Sequence, residues 1–462
     1  MGRRLLFVGF WFAVQVTACV FAQAQSPPPN PCAESHKGVY YANDFSYLLE
    51  DSDYDGACLG DGMKLIPVAE GDWGTIDVGG QLRTRYHSEI GMGSGSTPRF
   101  VDIQNDFVLA RLRLYTNWKV NDVFRVYVEG IYADVSDDGG SYVRRGIDVN
   151  LGDFLNLFAD LKLTDCVTAR IGRQELLYGN QRLISPLDWG NTRRSFDGAR
   201  LLYKEGNWDV DAFYTFFVPV IPSRLDEPDY DQKFYGIYGA YNGFENFTIE
   251  PYYIGYDNEN PGMFTADFSL HTLGARIYGG QGDWLWELEG GPQFGRQSGA
   301  GVDHSAGFAT VGLGRKMVNY AGSPVIWFYY DYASGNSGGD DFNGFNQLFP
   351  LAHRYLGFID AVQRSNIEAP NILFTMKPGP KWNLLLWYWH FMSNTDAPVP
   401  STSNTPPQNA SQDFGDELDV LVRYGFGPRS NLVFGWSHLW RGDKIIGNSD
   451  ADFIYSQWEL DF

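Results

Sequence analysis

Arginine recurs at alternate positions in this chain: Arg83 and Arg85, Arg111 and Arg113, then Arg125, Arg170, Arg200, Arg276 and Arg423. A guanidinium stays charged at any relevant pH, and its planar fork pairs with carboxylates through two parallel hydrogen bonds. On an extended strand, residues two apart share a face. Arginines arrayed on one face would make many weak anion sites in series, so that a polyanion enters yet still slides on. The competing expectation is that they pair with Asp and Glu across strands.

A second cluster breaks the alternation. Tyr178–Gly198 packs Arg182, Asp188, Arg193, Arg194 and Asp197 among Pro, Gly, Asn and Trp, with Arg173 and Glu175 at its base as a candidate structural pair. A loop this long is expected to fold into a lumen as a constriction or to cap a pore, against the alternative of an ordinary surface loop. Catalytic sets are absent by pattern. His353 and Asp360 lack a nucleophile, no Gly-x-Ser-x-Gly occurs, and Ser437 and His438 are neighbours, which on a strand face opposite ways. No Cys-x-x-Cys or Cys/His spacing points to a metal, so no enzyme, metal or cofactor is expected.

The elements that must position these arginines are strands. From Gly74 to the last residue, period-two alternation repeats. Ile76, Val78, Gly80, Leu82, Thr84 and Tyr86 oppose Asp77, Gly79, Gln81, Arg83, Arg85 and His87, and Ala110–Val120, Leu161–Ile171, Leu273–Gly279 and Leu418–Tyr424 repeat the pattern. Gly/Asn/Asp-rich turns separate the runs. In Asp452–Phe462, Ile454, Trp458, Leu460 and Phe462 share a face opposite Tyr455, Gln457, Glu459 and Asp461. The Trp/Tyr runs Trp382–Trp389 and Tyr252–Tyr256 are expected to form lipid-interface girdles rather than to stack sugars.

Past residue 24 no stretch reaches the roughly 20 apolar residues of a membrane helix. A membrane-embedded chain must then be a closed barrel, because lipid cannot satisfy open backbone groups. A mean hydropathy of −0.28 with 16% aromatic residues fits a wall that is apolar outside and polar inside. The net charge of −21 argues against nucleic acid as a partner. The N-terminus reads as a secretory signal, with Arg3 and Arg4, an apolar run from Leu5 to Val16, and cleavage after Ala24. Val16–Cys19 offers a competing lipoprotein site. Residues 25–73 form a Pro-rich linker, Ser26–Pro31, and an N-terminal periplasmic extension. Cys32 and Cys58 could pair there as an incidental loop bridge, while Cys166 is expected within a strand. Asp51–Asp55 resembles the start of a calcium loop, but Gly62 stands where its bidentate Glu belongs, which favours a solvated turn.

Three ordered blocks carry a family resemblance. Gly79-Gly80-Gln81-Leu82-Arg83-Thr84-Arg85-Tyr86 resembles the opening strand of the alginate export family of porins. Ile171–Ile184, continuing through Pro186-Leu187-Asp188-Trp189, Asn191-Thr192, Arg194–Gly198 and Arg200, is similar to a second block. Asp331–Gly335, running on to Phe349-Pro350, His353, Tyr355-Leu356-Gly357 and Asp360, is similar to a third. The resemblance implies an all-β, 18-stranded antiparallel outer-membrane barrel, monomeric, passing an acidic polysaccharide or other anionic solute through an arginine-lined constriction. A periplasmic export scaffold is implied as a partner. At about 20 residues per strand plus loop, 18 strands fit between Gly74 and Phe462. A small-solute uptake porin of the same fold is the alternative, with a barrel-embedded enzyme or adhesin further off.

Overall fold

A computed structural model describes residues 32, 35–50, 58–93, 98–137, 142–259, 267–398 and 406–462. The expected signal peptide, Cys19, the Pro-rich stretch Ser26–Pro31 and the expected acidic turn Asp51–Asp55 lie outside the described residues. A two-residue strand β1 (Ile66–Pro67) precedes eighteen long ones. These are β2 (Thr75–Ile90), β3 (Gln104–Lys119), β4 (Phe124–Asp137), β5 (Asn150–Lys162), β6 (Val167–Gln174) and β7 (Ser195–Glu205). They continue with β8 (Trp208–Val218), β9 (Asp229–Tyr241), β10 (Phe247–Asn258), β11 (Phe268–Gln281), β12 (Trp284–Gln297) and β13 (Val302–Lys316). The last are β14 (Val325–Ala333), β15 (Ile367–Gly379), β16 (Trp382–Met392), β17 (Asp413–Gly427), β18 (Ser430–Arg441) and β19 (Ala451–Asp461).

Each strand from β2 onward pairs antiparallel with its sequence neighbour, and β19 returns to β2 with Asp452 opposite Ile90 and Asp461 opposite Gln81. The sheet closes into the eighteen-stranded barrel that the blocks implied. Closure removes both sheet edges and satisfies the backbone within lipid. Leu114, Ile171, Leu201, Leu273 and Phe328 project from the outer wall and are exposed, while Asp77, Gln81, Arg83, Arg85, Asn105, Arg111 and Glu129 are buried inside. Period two therefore sorts apolar from polar side chains across the wall.

One run needs correcting. Leu161–Ile171 is not a single strand. β5 ends at Lys162, a turn follows, and Cys166 sits in that turn. Thr164 Oγ1 accepts from the amides of Cys166 (3.3 Å) and Val167 (3.1 Å), a local bond that closes the turn. The alternation survives the reversal, with Leu161 and Ile171 both exposed on the outside, so the sequence pattern hides the turn.

Connections at one end are short and at the other long, notably 175–194 and 334–366. Outer-membrane barrels keep short turns on the periplasmic side and long loops outside, which assigns the chain's C-terminus to the periplasmic rim. Among the described residues no helix is long and apolar enough to cross a membrane.

Candidate functional site: the barrel interior

The first long loop does not stay outside. After Gln174 the chain leaves the β6 ladder and crosses the lumen. Arg182 reaches β12, donating to Glu287 at 2.8 Å and Glu289 at 3.2 Å. Arg276 on β11 joins the same set through Glu287 (2.7 Å) and Glu250 (3.0 Å). The tip Asp188–Asn191 then lies against the opposite wall. Arg83 donates to the carbonyls of Asp188 (2.7 Å) and Gly190 (2.9 Å), and Arg85 to that of Trp189 (2.6 Å). Arg111 donates to Asp188 Oδ1 at 2.8 Å, with its remaining donors on Gln81 and the Gly190 carbonyl.

Arg83 and Arg111 are register partners on β2 and β3, a like-charge pair that would ordinarily destabilise the sheet. Carbonyl dipoles, the carboxylate of Asp188 and that of Glu459, which lies opposite Arg83 on β19, make the juxtaposition tolerable. Burial by itself would push that carboxyl up, but Arg193, Arg111 and Arg83 outweigh it and hold it well below the usual carboxylate range. Its side chain nevertheless stays 49% exposed to the lumen. Arg193 completes the knot, pairing with Asp188 and, at 2.5 Å, with Glu175.

The second long loop meets the first. Ile184 bridges Phe349 in parallel, with Ser185 N donating to the Phe349 carbonyl and Phe349 N to that of Leu183, both at 2.9 Å. Arg194 fastens the junction through the carbonyls of Phe349 (2.6 Å) and Ser185 (3.1 Å). A four-residue helix, Ala352–Tyr355, presents His353, whose ring stacks on Trp189 at 3.6 Å and whose Nδ1 lies 2.8 Å from Asp360. Ile359 N donates to Glu417 on β17 at 2.8 Å.

An apolar core forms inside the barrel around these loops. Leu183, Ile184, Phe349, Phe358 and Ile359 pack on inward wall aromatics that include Phe196, Phe234 and Tyr256. Trp387, Trp389, Tyr252 and Tyr256 belong to this core and are buried, so these four are not lipid girdle residues. Within the same runs only Trp382 and Tyr388 face outward and exposed. Inserted loops need apolar partners, and the inner wall provides them.

At the short-turn end, the N-terminal segment lies against the inner wall. Tyr40 packs with Tyr115, Tyr127 and Phe158, and its hydroxyl donates to Asp461. The Arg113 guanidinium sits 4.1 Å from the Tyr40 ring and that of Arg170 4.4 Å from Tyr41. The Tyr41 carbonyl accepts from Arg125 at 2.6 Å, and the Gly38 carbonyl from Arg193 at 3.1 Å. Cys32 and Cys58 are joined in a disulfide, and Arg429 gathers Ser35, Tyr47 and Asp61 beside it.

The remaining sequence candidates fall into place by partner. Arg113 pairs with Glu129 (2.6 Å), Arg170 with Asp160 (2.7 Å) and Arg200 with Asp211. Arg423 has the parity of buried Glu417 and Asp419 but is exposed and makes no ion pair among the described residues. Arg173 and Glu175 do not pair with each other. Arg173 bonds Asp197 (2.8 Å) and Asp153 (3.1 Å). It stands opposite exposed Leu157 on β5, whereas Glu175, past the end of the ladder, swings inward to Arg193 and Arg113. Sequence reasoning missed the counter-charges Glu250, Glu287 and Glu289, which sit on strands remote from Arg182, and the stacking role of Trp189. The signal for Trp189 was its place in the non-alternating block, between Asp188 and Gly190.

A closed eighteen-stranded barrel with apolar outer wall, polar inner wall and two inward-folded loops is a channel of the outer-membrane porin type. Solved structures agree on the fold. A BenF-like porin from Pseudomonas fluorescens superposes with a TM-score of 0.58 at 14% identity, covering 84% of this chain and 99% of that one. OccK2 (OpdF) of Pseudomonas aeruginosa in complex with glucuronate gives 0.57 at 15%, covering 84% and 98%. OpdK of the same organism with vanillate gives 0.57 at 12%, again covering 84% and 98%. No curated protein sequence matches this chain. The model of the alginate export family matches residues 75–456, and the chain belongs to that family. It is an outer-membrane channel, with the family and fold of porins rather than of enzymes.

Proposed function

We propose that the channel passes anionic, carboxylated sugar polymers or oligomers along the β2–β3 side of its lumen, with the loop tip Asp188–Asn191 as the constriction. The observation that carries this reading is the charge imbalance at that tip. Arg83, Arg85 and Arg111 converge on backbone carbonyls of the tip. Against these three guanidinium groups stand two carboxylates, Asp188, which Arg111 bonds at 2.8 Å, and Glu459, the register partner of Arg83 on β19. Carbonyl dipoles hold guanidinium groups in place without cancelling their net charge, so the wall keeps a positive potential toward a passing carboxylate. A periplasmic export scaffold would meet the rim that carries the short turns and the N-terminal segment.

The test is reversal potential in planar bilayers under a salt gradient. Anion selectivity is expected, and cation preference would overturn the proposal. A second reading, uptake of single sugar acids, is favoured by how much of the lumen the loops fill. Leu183, Ile184, Phe349, Phe358 and Ile359 of the loops build an apolar core inside the barrel. Block of the open current by a polyuronate supports the polymer reading, whereas block by monomers alone supports uptake.

A further inference from the structure

A separate recess lies on the inner wall at the short-turn end, with a volume of about 490 Å³. Thr75, Lys119, Arg125, Asp160, Lys162 and Thr168 line it. All six point inward by strand parity. Lys119 shares the face of buried Tyr115 and Asn117, Arg125 that of Tyr127 and Glu129, Lys162 that of Phe158 and Asp160, and Thr168 that of Arg170. The volume lies within the usual range for small-molecule sites, roughly 300–1,000 Å³.

Its cations are underused. Both oxygens of Asp160 are taken by Arg170, at 2.7 and 2.9 Å, which leaves Arg125 3.6 Å away from that carboxylate. Arg125 bonds only the Tyr41 carbonyl, and its buried Nε has no partner. The Lys119 side chain makes no hydrogen bond or ion pair among the described residues. Lys162 meets Asp165 at 3.0 Å, but Asp165 is fully exposed on the turn, and such surface pairs hold weakly. Asp122 at the rim is the other acid lining the recess. In a chain of net charge −21, three weakly compensated cations around one inner recess stand against the overall balance.

We propose that this recess is an entry subsite at the periplasmic mouth that takes the carboxylate of a uronic-acid residue, with Arg125, Lys119 and Lys162 as its donors. The proposal rests on the channel reading given above and adds a site to it. Capture of a carboxylate by Arg125 competes with the Tyr41 carbonyl, so ligand entry loosens the N-terminal segment from the wall.

Binding of a mannuronic acid trimer and of a neutral glucose trimer to the full barrel in lipid nanodiscs is measured by titration calorimetry, for the parent and for K119Q/K162Q. Both lysines are partly exposed, and retained heat-modifiable migration confirms that the variant folds. The acidic trimer should bind and the neutral one should not, and the variant should bind about fivefold more weakly, as expected for two partly screened charge pairs. Equal affinity of parent and variant, or equal binding of the neutral trimer, overturns the subsite. Reversal potentials of the same preparations separate the two claims. An anion-selective parent with unchanged trimer affinity in K119Q/K162Q leaves the channel reading standing and removes only the recess, whereas a cation-selective parent removes both.

Discussion

Two walls of the lumen hold arginine in opposite ways. On the β10–β12 side, Arg182 and Arg276 face three carboxylates, Glu250, Glu287 and Glu289, so acid exceeds base. On the β2–β3 side, Arg83, Arg85 and Arg111 bond mainly backbone carbonyls and face two carboxylates, Asp188 and the cross-strand Glu459, so base exceeds acid. Inward-pointing arginine is therefore not one kind of residue. Where carboxylates surround it, it is a rivet. Where dipoles hold it, its charge is left less cancelled and acts on the lumen through its field.

The largest expected effect breaks the rivet. Arg182→Met takes the one ion-pair partner from buried Glu289 and leaves Glu287 with Arg276 alone, and removing one partner from a buried ion pair costs about 3–5 kcal/mol. Urea unfolding in detergent should show that loss, while the selectivity of whatever folds stays the same. A loss of selectivity without a loss of stability would show that the two walls had been assigned the wrong way round.

On the other wall the balance reverses. Arg83→Gln with Arg111→Gln should lower the chloride-to-potassium permeability ratio about threefold, since these buried guanidinium groups reach an ion in the lumen only at a distance and through a screened field. Stability should fall by roughly 1–3 kcal/mol in all, because each glutamine keeps a donor for the loop carbonyls and no charged partner is left buried without a counter-charge. An unchanged ratio would mean that the loop tip shields these guanidinium groups completely.

Trp189 tests whether the tip is a constriction. Its ring lies 3.9 Å from the Arg85 guanidinium and 3.6 Å from the His353 ring. Trp189→Ala removes both stacks, each worth about 0.5–1.5 kcal/mol. Single-channel conductance should rise with selectivity preserved, and unchanged conductance would place the narrowest point elsewhere.

How far the residues foretold this follows from the range of each interaction. Strands were legible because lipid outside and water inside impose period two on every wall residue, and Ile76–His87 states that pattern in full. The turn after Lys162 was not, because both flanking strands keep the same parity. The 175–194 loop was visible as a break in alternation, yet its direction depends on Arg83 and Arg111, whose bonds to Asp188 and Gly190 cross 77 to 107 positions. The N-terminal segment has no period, and Tyr40 meets Asp461 across 421 positions. Alternation places an arginine inside. It does not name the partner, and the partner separates rivet from charge.

The smallest effect comes from the arginine that belongs to neither wall. Arg423 lies opposite Asn383 and Val433 near the short-turn rim, exposed and without an ion pair among the described residues. Arg423→Gln should alter stability by no more than about 0.5 kcal/mol, as for surface substitutions remote from any network. Its charge stands in open water at the mouth, where ions crowd around it and the field decays within about 8–10 Å at ordinary salt. The permeability ratio should therefore shift by less than for either Arg83→Gln or Arg111→Gln alone. A shift as large as theirs would mean that the field at the mouth, rather than the guanidinium groups held at the loop tip, selects the ion, and the contrast between the two inner walls would then concern stability alone.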